Sequence, residues 1–189
     1  MTITIENDAV IKNNIKEDKK QKPSIWVACL SAYNSGYLHG AWIVPKTTKE
    51  ELLEQIKEVL KGSPVGDPEE WAIHDYDNFP NLGEYPDLEK VCEVQRAFEE
   101  YEPSIVNGYL ENFCDFEAGD LKESIDEAFV GTFDNFREYA DQTADETMLI
   151  DCPDHIAGYF DYEGFARDLE LDHWTADAPD YQTHIFRNY

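Results

Sequence analysis

The sequence predicts an α+β protein with a small antiparallel sheet plus one helix at its N-terminal end, an acidic helical middle and an α+β C-terminal part. Three observations support this. Residues 24–79 alternate strand-like runs with one amphipathic helix, the next stretch repeats helices with an apolar and an acidic stripe, and strand formers return near the end. We therefore expect a flexible extension at 1–23 and three domains at 24–79, 80–122 and 123–189.

The N-terminal domain is predicted to begin with strands, after a polar extension that ends at Pro23. The run SIWVACLSAY (24–33) is apolar on both faces and rich in strand formers, which is typical of a central strand. Turn residues at 34–36 lead to a second predicted strand at 37–44, so the pair forms a hairpin. The run EWAIHDY (70–76) predicts a third strand.

A helix is predicted between the second and third strands. Thr48 and Glu51 have the spacing of a capping box at its start, and Gly62 is placed to end it. Leucine, isoleucine and valine recur between them every three or four residues, which gives one apolar face.

Three acidic helices are predicted in the middle of the chain, at 87–102, 104–113 and 120–131. Carboxylates four residues apart lie about 6 Å apart along a helix axis, and such like-charge pairs cost a helix a few tenths of a kcal/mol. The repulsion between these carboxylates therefore indicates that the acidic stripes serve a purpose other than the stability of the helices. We expect these carboxylates of the first helix to face solvent: Glu89, Glu93 and Glu100.

The C-terminal part is predicted to mix helices and strands. We expect Gly131 to end the preceding helix and Asp134 to cap the next one. The runs MLID (148–151) and THIFRNY (183–189) are predicted strands on either side of a helix at 162–171.

The formal net charge of −26 is concentrated in one part of the chain. Residues 80–189 carry 28 acidic and six basic residues, whereas residues 24–79 carry nine and four. A disordered acidic tail would lack the interleaved aromatic residues, a halophile's surface would spread the charge over the whole chain, and solubility needs a net charge of only about 2 to 8. None of these explains where the charge lies.

Such a distribution favours a protein that imitates nucleic acid. B-DNA carries one negative charge per roughly 1.7 Å of axis, so a dimer with twice the charge of this chain matches about 90 Å of duplex. A groove lined with lysine and arginine would accept carboxylates held at similar spacing. We therefore expect a DNA-binding protein as partner, and neither nucleic acid nor a membrane.

An enzyme is the competing class, and the residues favour it less. His74-Asp75 resembles part of a metal-dependent phosphohydrolase site, but one dipeptide is a weak match. His39 and His74 lie on predicted strands and are expected to be hydrogen-bonded structural residues. We predict no catalytic, metal or cofactor site and no cofactor, with a metal-dependent carboxylate hydrolase as the remaining enzyme alternative.

The compartment is predicted from what the sequence lacks. No run approaches the roughly 18 apolar residues of a membrane helix, and the first residues do not follow the signal-peptide order, so we expect a cytoplasmic protein. The cysteines form no CxxC pair and are expected to be reduced and mostly buried. They are Cys29, Cys92, Cys114 and Cys152.

Several segments resemble the ArdA antirestriction proteins, and in this order they cover nearly all of residues 24–189. They are YNSGYLHGAWI (33–43), EWAIHDYDNFP (70–80) with GEY (83–85), FVGTFDNFREYADQ (129–142), and YFDYEGFARDLELD (159–172) with HIFRN (184–188). The segment at 129–142 is similar to the family's antirestriction motif. Thr132 and Arg137 stand where the family commonly has acids.

The resemblance implies an elongated three-part protein that dimerises through its C-terminal part, imitates bent B-form DNA and needs no cofactor. The implied partner is the methyltransferase core of Type I restriction-modification enzymes, and occupying it blocks cleavage and often methylation of DNA. The family is carried on mobile genetic elements. The alternative is a mimic aimed at another DNA-binding protein, such as a nucleoid protein or a repressor.

The mimic surface is expected to depend on many carboxylates rather than one. We nominate Glu89, Glu93, Glu100, Glu111, Asp115, Glu117, Asp120, Glu123, Asp126, Glu127, Glu138, Asp141 and Asp145. The residues of the segment similar to the antirestriction motif are interpreted either as core and cap residues or as the contact between subunits, and both interpretations can be true together. They are Phe129, Gly131, Phe133, Asp134, Phe136, Tyr139 and Ala140.

Overall fold

The computed structural model describes residues 22–66, 68–113 and 116–188, which form eight α-helices and two three-stranded antiparallel sheets. The first sheet has the order β2-β1-β3 and the second β4-β6-β5. The strands are β1 (Ser24–Cys29), β2 (Gly40–Ile43), β3 (Trp71–Asp77), β4 (Phe129–Phe133), β5 (His173–Asp177) and β6 (Thr183–Arg187). The predicted α+β class is confirmed, and the extension predicted at 1–23 lies almost wholly outside the described residues.

The helices separate and flank these strands along the chain. They are α1 (Leu30–Asn34), α2 (Lys49–Lys61), α3 (Leu88–Glu100), α4 (Pro103–Asn112), α5 (Leu121–Ala128), α6 (Phe136–Thr147), α7 (Asp154–Ala157) and α8 (Tyr162–Glu170), with a short 3-10 turn at Pro179–Tyr181. None of the helices in the described ranges is long and apolar enough to cross a bilayer.

The first sheet has β1 at its centre, as the apolar run predicted. The prediction that this strand continues to residue 33 is wrong, because Cys29 Sγ accepts a hydrogen bond from Ala32 N (3.4 Å) and starts α1. The second strand starts at Gly40 rather than at residue 37. A Cβ on Gly40 would lie 2.5 Å from Val27 O, so the close approach of β2 to β1 requires glycine.

Helix α2 packs on this sheet and begins and ends where the sequence predicted. Thr48 Oγ1 accepts the Glu51 backbone N–H (3.4 Å), and Gly62 follows the last helical residue. Its buried side chains are Leu52, Ile56 and Leu60. Its outer face carries i,i+3 ion pairs in which each acid has a lysine partner on the same helix: Glu54 with Lys57 and Glu58 with Lys61.

One apolar cluster joins the first sheet, the middle helices and the second sheet, running from Ile25 through Val94 to Phe186. Helix α4 lies against β5 and β6, and Gly108 permits this approach because a Cβ there would lie 2.7 Å from Ala176 Cβ. This continuous core crosses both predicted domain boundaries, which stay predictions.

The C-terminal part of the structure differs from the sequence predictions at three places. The helix predicted at 120–131 ends at Ala128, and Gly131 lies in β4 at a register shift rather than ending a helix. The run at 148–151 is not a strand, because its backbone bonds locally, with Leu149 N donating to Ala144 O (3.0 Å). The cap of α6 is Asn135, whose Oδ1 accepts Glu138 N (3.0 Å), and not Asp134.

Candidate acidic interaction surface

Most of the nominated carboxylates are exposed to solvent. Glu89 and Asp141 are half-buried, and Asp115 lies outside the described residues. The exposed ones are Glu100, Glu111, Glu117, Asp120, Glu123, Asp126, Glu127, Glu138 and Asp145. They are carried by α3, α4, α5, α6 and the loop that precedes α5, so most of the surface is built on short helices rather than on long loops.

The prediction that Glu93 faces solvent is wrong. Its side chain is buried, with 5% of the residue exposed, and both carboxylate oxygens accept backbone hydrogen bonds. Gly119 N donates to Oε2 (2.6 Å) and Leu121 N donates to Oε1 (2.8 Å). Helical periodicity placed Glu93 beside Glu89 on an outer face, but the loop at 116–120 covers that position.

Helix α3 with Tyr101 after it and helix α5 with the loop before it are joined by three polar contacts, and we call this unit the acidic helix pair (residues 88–101 with 116–128). Glu93 contacts the start of α5, Glu100 pairs with Lys122, and Tyr101 Oη donates to Asp126 Oδ1 at 2.5 Å. The contacts come in the same order along both helices, so the two run side by side in the same direction. Burial first, and then the Asp126 carboxylate, raise the pKa of Tyr101 well above its ordinary value, so this hydroxyl stays a donor.

Basic residues neutralise part of this surface. Arg96 binds Glu89 (3.0 Å) and also donates to Thr47 O (2.6 Å), which ties α3 to the N-terminal unit. Lys122 pairs with Glu100, and Arg137 binds Asp141 at 2.6 Å. Three of the nominated carboxylates therefore have a cationic partner, and the field at these points is weaker than the sequence count suggests.

A second group of carboxylates lies on α6 and α8, which pack against each other. Tyr162 Oη donates to Asp145 Oδ1 at 2.6 Å, and this bond raises the pKa of Tyr162. On α8 the acids Glu163, Asp168 and Glu170 are exposed as well. They were not nominated, although their alternation with Phe165, Ala166 and Leu169 is the same signal that selected the acids of α3 and α5.

A model of the antirestriction protein (ArdA) family matches residues 25–179, most of the chain. The chain belongs to the ArdA family. The resemblance of its sequence segments to that family is thereby confirmed. A curated relative is the non-toxic nonhemagglutinin type A of Clostridium botulinum, 28% identical over 165 residues. That match covers 80% of this chain and 13% of the relative's length.

The ArdA motif at 129–142 spans β4 and the start of α6. Its aromatic residues pack inside the protomer: Phe129 lies 5.4 Å from Phe186 and Phe133 lies 5.1 Å from Tyr139, measured between ring centroids. Tyr139 and Ala140 are buried within the protomer, as the core interpretation of the motif expects, and a contact between subunits stays a prediction. The half-buried motif residues stay candidates for that contact: Phe129, Gly131, Phe133 and Phe136.

A buried histidine joins the ArdA motif to the helical middle. His184 Nδ1 hydrogen-bonds Thr132 Oγ1 (2.8 Å), and its Nε2 hydrogen-bonds Ser104 Oγ (3.0 Å) at the start of α4. Burial lowers the pKa of His184, against the smaller opposing effect of Glu102. Thr132 is therefore a structural contact of this histidine.

His39 and the described cysteines have structural surroundings, whereas His74 is exposed beside Glu84. His39 Nε2 hydrogen-bonds Val59 O (2.8 Å), as predicted, and His74 lies 3.6 Å from Glu84 Oε1. Cys29 and Cys92 are buried free thiols, and burial raises the pKa of Cys92 to about 11. Cys152 is a half-buried free thiol, whereas Cys114 lies outside the described residues. Residues 22–66, 68–113 and 116–188 hold no group of three or more His, Cys, Asp or Glu arranged for a metal ion.

Proposed function

We propose that this ArdA-family chain is an antirestriction protein that occupies the DNA-binding groove of the methyltransferase core of Type I restriction-modification enzymes. The observation that carries the proposal is the set of exposed carboxylates on the acidic helix pair and on α6. A groove that meets phosphates with lysine and arginine presents the complementary charge.

The short helices make the surface suitable for this role because they fix where each charge lies. A flexible acidic segment would lose conformational entropy on binding, whereas carboxylates on packed helices are already ordered. Between the side chains of α3 and α5, hydrogen bonds and an ion pair limit their relative movement. Rigid spacing is what distinguishes a mimic of a duplex from a general polyanion.

We also propose that two copies act together. Large apolar side chains are exposed in the segment between α6 and α8 and just beyond it, where a second copy would cover them. They are Met148, Ile150, Ile156, Tyr159 and Leu171. A dimer formed there would double the acidic surface.

The proposal is tested by adding the purified chain to a Type I enzyme that cleaves unmodified DNA. Inhibition should occur at concentrations comparable to the enzyme's and should weaken as salt rises, because exposed charges are screened beyond about 8 Å at 0.15 M salt. Competition with a duplex for the isolated methyltransferase core should show mutually exclusive binding.

A Type II nuclease that cuts the same DNA serves as the control for inhibition by charge alone. Equal inhibition of both enzymes would indicate a non-specific polyanion. No inhibition of several Type I enzymes, with tight binding to a nucleoid protein or repressor, would overturn the proposed target in favour of another DNA-binding protein.

A further inference from the structure

We propose that Glu93 is a positioning residue for partner recognition: its buried carboxylate fixes the acid-bearing helix α5 and the loop before it onto α3. This inference rests on the proposed function, because it concerns how the carboxylates are presented to the partner. Glu93 itself, with 5% of the residue exposed, does not reach the partner.

The Glu93 carboxylate takes the place of a local helix cap. The first N–H groups of a helix have no partner within it, and Asp120, at the cap position of α5, makes no side-chain cap hydrogen bond. Glu93 supplies the missing acceptor from a helix 28 residues earlier, with Oε1 at 2.8 Å from Leu121 N. Its negative charge also lies at the positive end of the α5 dipole.

The second oxygen holds the loop. Glu93 Oε2 accepts Gly119 N at 2.6 Å, and Gly119 has a φ of +110°, a conformation that favours glycine. One turn of α3 before Glu93, Lys90 lies over the Phe116 ring at 5.1 Å from its centroid. The loop at 116–119 is therefore attached to α3 at both of its ends, through Phe116 and through Gly119.

This attachment places five nominated carboxylates. They are Glu117, Asp120, Glu123, Asp126 and Glu127. An uncompensated buried carboxylate is costly, so the geometry in which both oxygens are satisfied is strongly preferred over others. The spacing between the acids of α3 and those of α5 is thus set at Glu93, inside the protein.

The test compares Glu93→Gln with Glu99→Gln in the full chain. Glu99 is an exposed acid of the same helix, so each variant removes one negative charge from α3. A glutamine at 93 keeps the shape but offers one oxygen acceptor, so one of the two N–H groups faces an NH₂ group. We expect the amide resonances of Gly119 and Leu121 to shift and their hydrogen exchange to speed up by about tenfold or more only in Glu93→Gln.

Inhibition supplies the second measurement. With circular dichroism unchanged, Glu93→Gln should raise the half-inhibitory concentration by about tenfold, against less than about twofold for Glu99→Gln. Unchanged amide shifts and exchange in a folded Glu93→Gln protein would overturn the proposal. Equal half-inhibitory concentrations of the two variants would also overturn the proposal.

Two further outcomes also test the proposed role of Glu93. If Glu93→Gln does not fold, amide exchange in the unsubstituted chain gives the answer: slow exchange at Gly119 and Leu121 supports the attachment, and exchange at the rate of open loops overturns it. If the unsubstituted chain inhibits no Type I enzyme, the proposed function fails while the exchange data still test the attachment. In that case the proposed role of Glu93 in partner recognition fails together with the proposed function.

Discussion

Helix α2 in the N-terminal unit and helix α5 in the acidic helix pair are built on the same amphipathic plan but use their charges differently. Helix α2 has four acids and three lysines; two of its ion pairs lie within the helix, and Lys49 Nζ lies 3.8 Å from Asp87 Oδ1 at the cap of α3. Helix α5 has three acids and one lysine, and the described contacts of Asp126 and Lys122 are with α3. The first arrangement neutralises two acids within one helix, whereas the second orients one helix on another.

The largest expected effect comes from removing equal charge from α2 and from α5 with the loop before it. The triple substitution Glu117→Gln, Glu123→Gln and Glu127→Gln should weaken inhibition of a Type I enzyme by about ten- to a hundredfold, because these acids belong to the proposed contact surface. The matched triple on α2 removes the same charge.

That control replaces Glu50, Glu54 and Glu58 by glutamine, and inhibition should change by less than about threefold. Both proteins must keep the circular dichroism and the oligomeric state of the unsubstituted chain. Equal losses in the two triples would mean that total charge matters and that its placement on the acidic helix pair does not.

A smaller effect, on stability, is expected where the acidic middle meets the second sheet. Gly108→Ala should cost about 1–3 kcal/mol of unfolding free energy, because the new methyl group would lie 2.7 Å from Ala176 Cβ and α4 must move away. The control is Gly158→Ala, where no atom lies within 4 Å of the new methyl group. Urea unfolding measures both, and a Gly108→Ala protein as stable as the control would show that α4 does not press on β5.

The parts of the fold that sequence predicted are those with local signals. The capping box of Thr48 and Glu51 and the glycine at 62 gave both ends of α2, since all the interacting groups lie within one helix. The outer position expected for Glu93 was wrong because the groups it binds come from residues 119 and 121. Periodicity describes one helix and contains nothing about the loop that covers it.

The second sheet shows the same limit. Gly131 follows a helical pattern and was expected to end that helix, but pairing of β4 with β6, more than 50 residues later, makes it part of a strand. Strand β5, HWTAD, has no clear alternation and was not predicted; it forms because β6 offers it a partner edge. Exposed acids on helices could be nominated from the sequence, whereas a cationic partner from another helix, such as Lys122 for Glu100, could not.

A modest effect is expected from pH at His184. Burial lowers its pKa in the folded protein, so as pH falls through about 6.5 the unfolded chain takes up a proton first and the folded state loses stability. The melting temperature of His184→Gln relative to the unsubstituted chain should therefore rise between about pH 7.5 and 5.5. His155→Gln, at an exposed histidine, is the control. A difference that does not vary with pH would contradict the assigned cause.

The smallest effect is expected from one exposed carboxylate. Glu123→Gln should change inhibition by less than about fivefold, because a single solvated charge contributes about 0 to 1 kcal/mol and its neighbours on α5 remain. Glu93→Gln removes one charge as well, yet it should do more, since it displaces several charges instead of deleting one. A complete loss of inhibition in a folded Glu123→Gln protein would contradict a dispersed surface, and recognition would then depend on one contact at α5.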